Sequence, residues 1–188
     1  MNTKYLTRPT EVAKSFLKET LKKGDVVVDA TMGNGNDTLF LANMVGEEGK
    51  VISFDIQDLA ISNTRELLEK NRLSGVELIQ DGHENMDTYI RDEISGAMFN
   101  LGYLPKGDHH IVTTAETTIV AIEKCLTFLK KNGIVTIVIY YGHDEGKIEK
   151  EKVINYVETL ESNKFHVMKV DYINQTKEPP LLITIIKK

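Results

Sequence analysis

Two acids and two glycines carry the first chemistry in this chain. Asp29 closes an apolar run over residues 26–28, Gly33 and Gly35 follow it, and Asp55 closes a second apolar run over residues 51–54. A short carboxylate at the carboxyl end of a strand can accept both hydroxyls of a ribose. A residue without Cβ lets the backbone turn sharply and lets a ligand come close. The helix that starts near Asn36 turns its free amide groups toward the same crevice, where a carboxylate or phosphate is favoured. A glycine pair alone marks only a turn. Strand, acid and spacing together imply an adenosine-bearing cofactor.

Such residues need a parallel sheet to hold them. The run over 26–28 is three valines, as expected of a strand covered by helices on both faces. Residues 10–22 read as an N-terminal helix, with Val12, Phe16, Leu17 and Leu21 on one face, Thr10 as its cap and Gly24 just past its end. Further helices are expected over 56–71 and 84–91, and strands over 76–80, 97–101 and 133–140. Ile119, Ile122, Leu126 and Leu129 recur at helical spacing within 118–131, and a charged helix follows over 144–162. Strands over 164–173 and 181–186 close the chain, joined by a polar turn that ends in Pro179-Pro180.

The cofactor is narrowed by details. A dinucleotide fingerprint wants a small residue where Thr38 stands. The pattern Asp29, three residues, Gly33, one residue, Gly35 instead resembles the first motif of class I S-adenosylmethionine (SAM) methyltransferases, in which that acid helps hold the methionine end. Thr31 stands where such enzymes commonly have their first glycine. The resemblance implies a Rossmann-like α/β fold, a seven-stranded mostly parallel sheet with helices on both faces, in one domain over residues 1–188. It implies a cofactor set of Thr31, Gly33, Asn34, Gly35, Asn36, Asp37 and Thr38 around Asp29, with Asp55 and Gln57 after the second strand. Asp81, Gly82 and His83 follow the third strand, where the adenine amino group is received, though residues 81–85 can equally cap the next helix. Asn100 belongs to the same set, and the segment from Asn100 to Tyr103 is similar to one that sits beside the transferring methyl in amine methyltransferases.

The combination of DATMGNGNDT, QDGHENM, FNLGYLPKGDH, YYGHDEG and NQTKEPPLLITIIKK resembles the YtqB/MnmM family, known as rRNA-methylase-like proteins, over essentially the whole chain. The resemblance implies SAM-dependent methylation of the amine of 5-aminomethyl-uridine, commonly 2-thiolated, at the tRNA wobble position. Its partner is then the tRNA anticodon stem-loop, and its form a homodimer. Asn100 either accepts a hydrogen bond from the amine and aims its lone pair, with Tyr103 packed on the acceptor, or is a turn residue that satisfies its own backbone. His110 either accepts the amine proton, touches phosphate or is merely exposed. Gly102, Lys106, His109, Tyr140, Tyr141 and His143 form the expected acceptor side. The two tyrosines and His143 either stack on an extruded base or pack on neighbouring strands. Methylation of rRNA, a small-molecule amine methyltransferase, and a binding module without activity are the alternatives.

Charge pulls against an RNA substrate. The chain has 23 basic and 28 acidic residues, a net charge of −5, whereas phosphate binding leaves a basic footprint. An RNA face must therefore be local: Lys4, Arg8, Lys14 and Lys18, or Lys106 with His109 and His110, or Lys147 with Lys150. The lone Cys125 sits at a helical apolar position and reads as a buried side chain, and the histidines show no metal-ligand spacing. Neither a secretory leader nor an apolar run of ~18 residues is present, so a cytoplasmic protein without a membrane span is expected.

Overall fold

A strand with helices on both faces must be apolar in both directions, and the central strands meet that demand. A computed structural model describes residues 7–102, 104, 112–175 and 177–188. They form seven strands: β1 (Val26–Asp29), β2 (Lys50–Phe54), β3 (Val76–Ile79), β4 (Ile94–Leu101), β5 (Leu129–Ile139), β6 (Phe165–Val170) and β7 (Leu181–Lys187). The helices are α1 (Pro9–Thr20), α2 (Asn36–Val45), α3 (Asp58–Lys70), α4 (Ala115–Phe128) and α5 (Asp144–Glu158).

The strands make one sheet in the order β3-β2-β1-β4-β5-β7-β6. β1 pairs in parallel with both β2 and β4, whereas β7 is antiparallel to β5 and β6. Val27, Val51 and Met98 bury one face with Leu17 of α1 and Leu41 of α2. Val28, Ile52 and Ala97 bury the other with Ile122 and Cys125 of α4 and Val153 of α5. Strand order reverses between β1 and β4, so the crevice at their carboxyl ends is where such a sheet binds ligands.

Several boundaries differ from expectation for local reasons. α1 starts at Pro9, whose fixed φ suits a first turn, so Arg8 rather than Thr10 is the N-cap. The expected helix over 84–91 is a short 3-10 helix, His83–Thr88. Asp81 ties that turn, accepting from Gly82 N at 2.7 Å and Asn85 Nδ2 at 2.9 Å on one oxygen and from Tyr89 Oη at 2.9 Å on the other. These bonds hold the Asp81 carboxyl below its usual range, the Asn85 bond foremost. Leu129, read with the preceding helix, opens β5 instead; Asn132 has a φ of 62° and the β4–β5 register shifts between Ile94 and Gly96. Cys125 is buried, and burial pushes its thiol up to about 12.

Candidate active site

The loop from β1 into α2 is built on a buried acid. Asp29 is fully buried, accepting from Thr38 Oγ1 at 2.6 Å and from Thr31 N at 3.2 Å. Thr38 Oγ1 also lies 3.1 Å from Ser53 Oγ. Burial, reinforced by the nearby Asp37, raises the Asp29 carboxyl to about 7. Asp29 and Thr38 thus lie beneath the loop, while Thr31, Gly33, Asn34, Asn36 and Asp37 line the cleft above it.

That cleft encloses about 930 Å³ at the carboxyl edge of the sheet. Asp55, half-buried in its wall, accepts from Gly33 N and Gln57 N, both at 2.9 Å. A carboxylate oxygen that takes one hydrogen bond retains another lone pair, so Asp55 can also receive ribose hydroxyls. Gly33 adopts a φ of 54°, and a Cβ there would stand 3.5 Å from Leu104 Cδ1, also in the cleft wall. Gly35 works differently. It has a φ of 76°, and a Cβ would fall 2.7 Å from Thr64 Oγ1, so its missing side chain makes room for α3 rather than for a ligand.

The third strand brings Asp81, Gly82 and His83 to the same cleft. His83 Nδ1 lies 3.0 Å from Ala30 O, a contact that requires Nδ1 to carry the proton and leaves Nε2 as an acceptor. Burial lowers the pKa of this imidazole, keeping it neutral. Asp81 ties the turn and also lines the cleft.

Asn100, at the end of β4, is held twice by the loop from β1. Its N–H donates to Thr31 Oγ1 at 2.7 Å, and its Nδ2 donates to Asp37 Oδ2. The residue that replaces the usual first glycine therefore supplies an acceptor for β4. Asn100 Oδ1 is buried and has no hydrogen-bond partner among the described residues. A buried acceptor without a partner marks a place for a ligand donor.

Acceptor-side residues divide. Gly102, Tyr140, Tyr141 and His143 line the cleft. Tyr140 is 43% exposed, whereas Tyr141 carries the Lys150 ammonium 3.6 Å from its ring centroid. His143 is the N-cap of α5, accepting from Gly146 N at 3.0 Å through Nδ1. Tyr103, Lys106, His109, His110 and Lys4 lie outside the described residues. Both ends of the segment carrying the first four of these meet, with Gly102 N donating to Thr113 Oγ1 at 2.9 Å and Thr113 N to Gly102 O at 3.1 Å. Glu149, 2% exposed, fastens that junction by accepting from Thr113 Oγ1 and Thr118 Oγ1, and burial raises its pKa.

The sequence did not single out Thr10, Glu178 and Pro180 as parts of this wall, and it read Lys14 only as a candidate for an RNA face. They come from α1 and the β6–β7 connection, outside the loops that follow the parallel strands. The candidate RNA-facing lysines are largely engaged: Lys14 with Asp37 at 2.7 Å, Lys18 over the Phe40 ring at 5.8 Å, Lys147 with Glu178 at 3.7 Å. Among the described residues no group of three or more His, Cys, Asp or Glu is placed to hold a metal ion, and no helix is long and apolar enough to cross a membrane.

Comparison with known proteins gives this geometry its family. The "Putative rRNA methylase" profile matches residues 51–186, and that of protein-L-isoaspartate(D-aspartate) O-methyltransferases matches residues 3–92. A chloroplastic tRNA (mnm(5)s(2)U34)-methyltransferase of Arabidopsis thaliana is 35% identical over 186 residues, 93% of this chain and 68% of that one. A solved "putative rRNA-methylase" of Clostridium thermocellum is 50% identical, with a TM-score of 0.95 over 96% of this chain and 98% of its own. A "putative methyltransferase" of Streptococcus mutans, solved with S-adenosylhomocysteine (SAH), is 42% identical, with a TM-score of 0.89 over 96% and 98% of the two chains. Asp55, which keeps acceptor capacity in the cleft wall, fits SAM as the cofactor. The chain belongs to the "Putative rRNA methylase" family and is a SAM-dependent methyltransferase.

Proposed function

We propose that this enzyme methylates the amine of 5-aminomethyl-uridine, with or without 2-thiolation, at the wobble position of tRNA. The observation that carries the reading is Asn100 Oδ1, a buried acceptor without a partner among the described residues, on a side chain of the cleft wall. An amine has N–H groups to give such an oxygen, and the bond turns its lone pair away from Asn100. Among the described wall residues, Asp37, Asp55, Asp81, Glu84 and Glu178 face Lys14 as the lysine, a balance that suits a cationic amine. The tRNA activity of the Arabidopsis thaliana relative supports the same substrate class.

Bound in the cleft, SAM supplies a methyl group activated on a sulfonium. The chain's own part is alignment. Asp55 holds the backbone at Gly33 and Gln57, Asn100 orients the amine, and the exposed Tyr140 is the side chain for a base to stack on. An ammonium has no lone pair, so the amine reacts only after losing a proton.

A second reading, a small-molecule amine as acceptor, is favoured by the engagement of Lys14, Lys18 and Lys147 within the fold. Nucleoside mass spectrometry of tRNA from a strain lacking the gene separates the two. The tRNA reading expects loss of the N-methylated wobble nucleoside and accumulation of its aminomethyl precursor; an unchanged nucleoside profile contradicts it.

A further inference from the structure

We infer that Asp37, anchored by Lys14, is a positioning residue that fixes which end of the Asn100 amide meets the acceptor. The inference rests on the proposed role of Asn100 Oδ1 toward the amine. A primary amide turned by a half rotation occupies nearly the same space but exchanges an acceptor for a donor. With Nδ2 toward the amine, Asn100 would donate to the lone pair needed for attack. With Oδ1 toward it, Asn100 accepts an N–H and leaves that lone pair unengaged.

A carboxylate selects between the two because it only accepts. Asn100 Nδ2 donates to Asp37 Oδ2, and Lys14 Nζ sits 2.7 Å from the other oxygen, Asp37 Oδ1. Lys14 is itself held, 5.4 Å from the Phe40 ring centroid and 3.9 Å from Glu11 Oε1. The Lys14 and Asp37 side chains are 17% and 14% exposed, so water competes weakly for this chain of contacts. The backbone of Asn100 is fixed independently by Thr31 Oγ1. Three elements, α1, α2 and β4, thus converge on one amide and leave only its oxygen without a partner among the described residues.

The test uses steady-state methyl transfer to tRNA bearing 5-aminomethyl-uridine, SAH affinity by calorimetry and the thermal midpoint of each variant. Asp37→Asn removes the selection at constant shape, because an amide at position 37 can pair with either end of Asn100. It is expected to lower kcat by about thirtyfold while SAH affinity stays within about threefold. Combining Asp37→Asn with Asn100→Asp restores a donor–acceptor pair with roles exchanged, and the second carboxylate oxygen at position 100 serves the amine. The double variant should recover about tenfold or more of kcat over Asp37→Asn alone. A merely structural contact would instead lower and restore the thermal midpoint and SAH affinity together with the rate. Should Asp37→Asn fail to fold, Lys14→Gln decides: lowered kcat with SAH affinity kept supports the inference, and an unchanged rate overturns it. Asp37→Asn at the wild-type rate, or slow with no recovery in the double variant, also overturns it. Asn100→Ala separates the layers, since a wild-type rate there removes the role of Asn100 itself, whereas a slow Asn100→Ala beside a normal Asp37→Asn removes only the positioning.

Discussion

Asp29 and Asp55 end neighbouring strands, yet the fold uses them in opposite ways. Asp55 stands in the cleft wall, and if it receives the ribose hydroxyls as proposed, Asp55→Ala removes a charge-assisted partner worth roughly 1.5–3 kcal/mol. Calorimetry with SAH should show a loss of about tenfold or more; equal affinity would reject the ribose assignment. Asp29 is fully buried with a carboxyl raised to about 7, so between the ordinary carboxylate range and pH 7 the folded state holds a proton that the unfolded chain has released. Stability therefore falls as pH rises through that window. Asp29→Asn abolishes this titration, so its thermal midpoint should exceed the wild type's at pH 8, by about 2–4 °C per kcal/mol relieved, with the difference fading toward pH 4. A midpoint difference that does not vary with pH would contradict the protonation argument.

At the scale of elements, the junction of β1 with α2 depends on a glycine for packing. Gly35 has a φ of 76° and its vacant Cβ position is 2.7 Å from Thr64 Oγ1 of α3, so Gly35→Ala combines backbone strain with overlap. The expected destabilisation is about 2 kcal/mol, seen as a lowered urea midpoint, and adding Thr64→Ala should return part of it. An unshifted midpoint in Gly35→Ala would remove the packing role. The glycine was visible in the sequence; its partner was not, because Thr64 meets it only after α3 folds back. The same limit explains the other differences. The cores of β1, β2 and β5 were legible because β-branched runs must be covered on both faces. Leu129 fitted a helical period and still joined β5, and the expected helix over 84–91 is a short 3-10 helix tied by Asp81 through side-chain bonds that periodicity does not register.

For the whole molecule, the cleft is assembled from both ends of the chain. Thr31, Asp55, His83 and Asn100 could be read as candidate site residues because each ends or follows a strand at the ligand-binding edge. Lys14 of α1 and Glu178 of the final connection reach the same wall only through the folded sheet, and nothing in their local sequence places them beside the cofactor motif. The acidic balance of the chain, which opposed an RNA substrate in the sequence, recurs locally in this wall and there favours a cationic amine. The central claim is tested most directly by transfer of labelled methyl from SAM to two otherwise identical tRNAs, one bearing 5-aminomethyl-uridine and one unmodified uridine at the wobble position, across a pH series. The account predicts label on the aminomethyl nitrogen alone, at a rate that rises with pH until the bound amine is neutral, and no reaction of the unmodified tRNA. Equal labelling of both tRNAs, or label on a ribose oxygen or ring carbon, would contradict it.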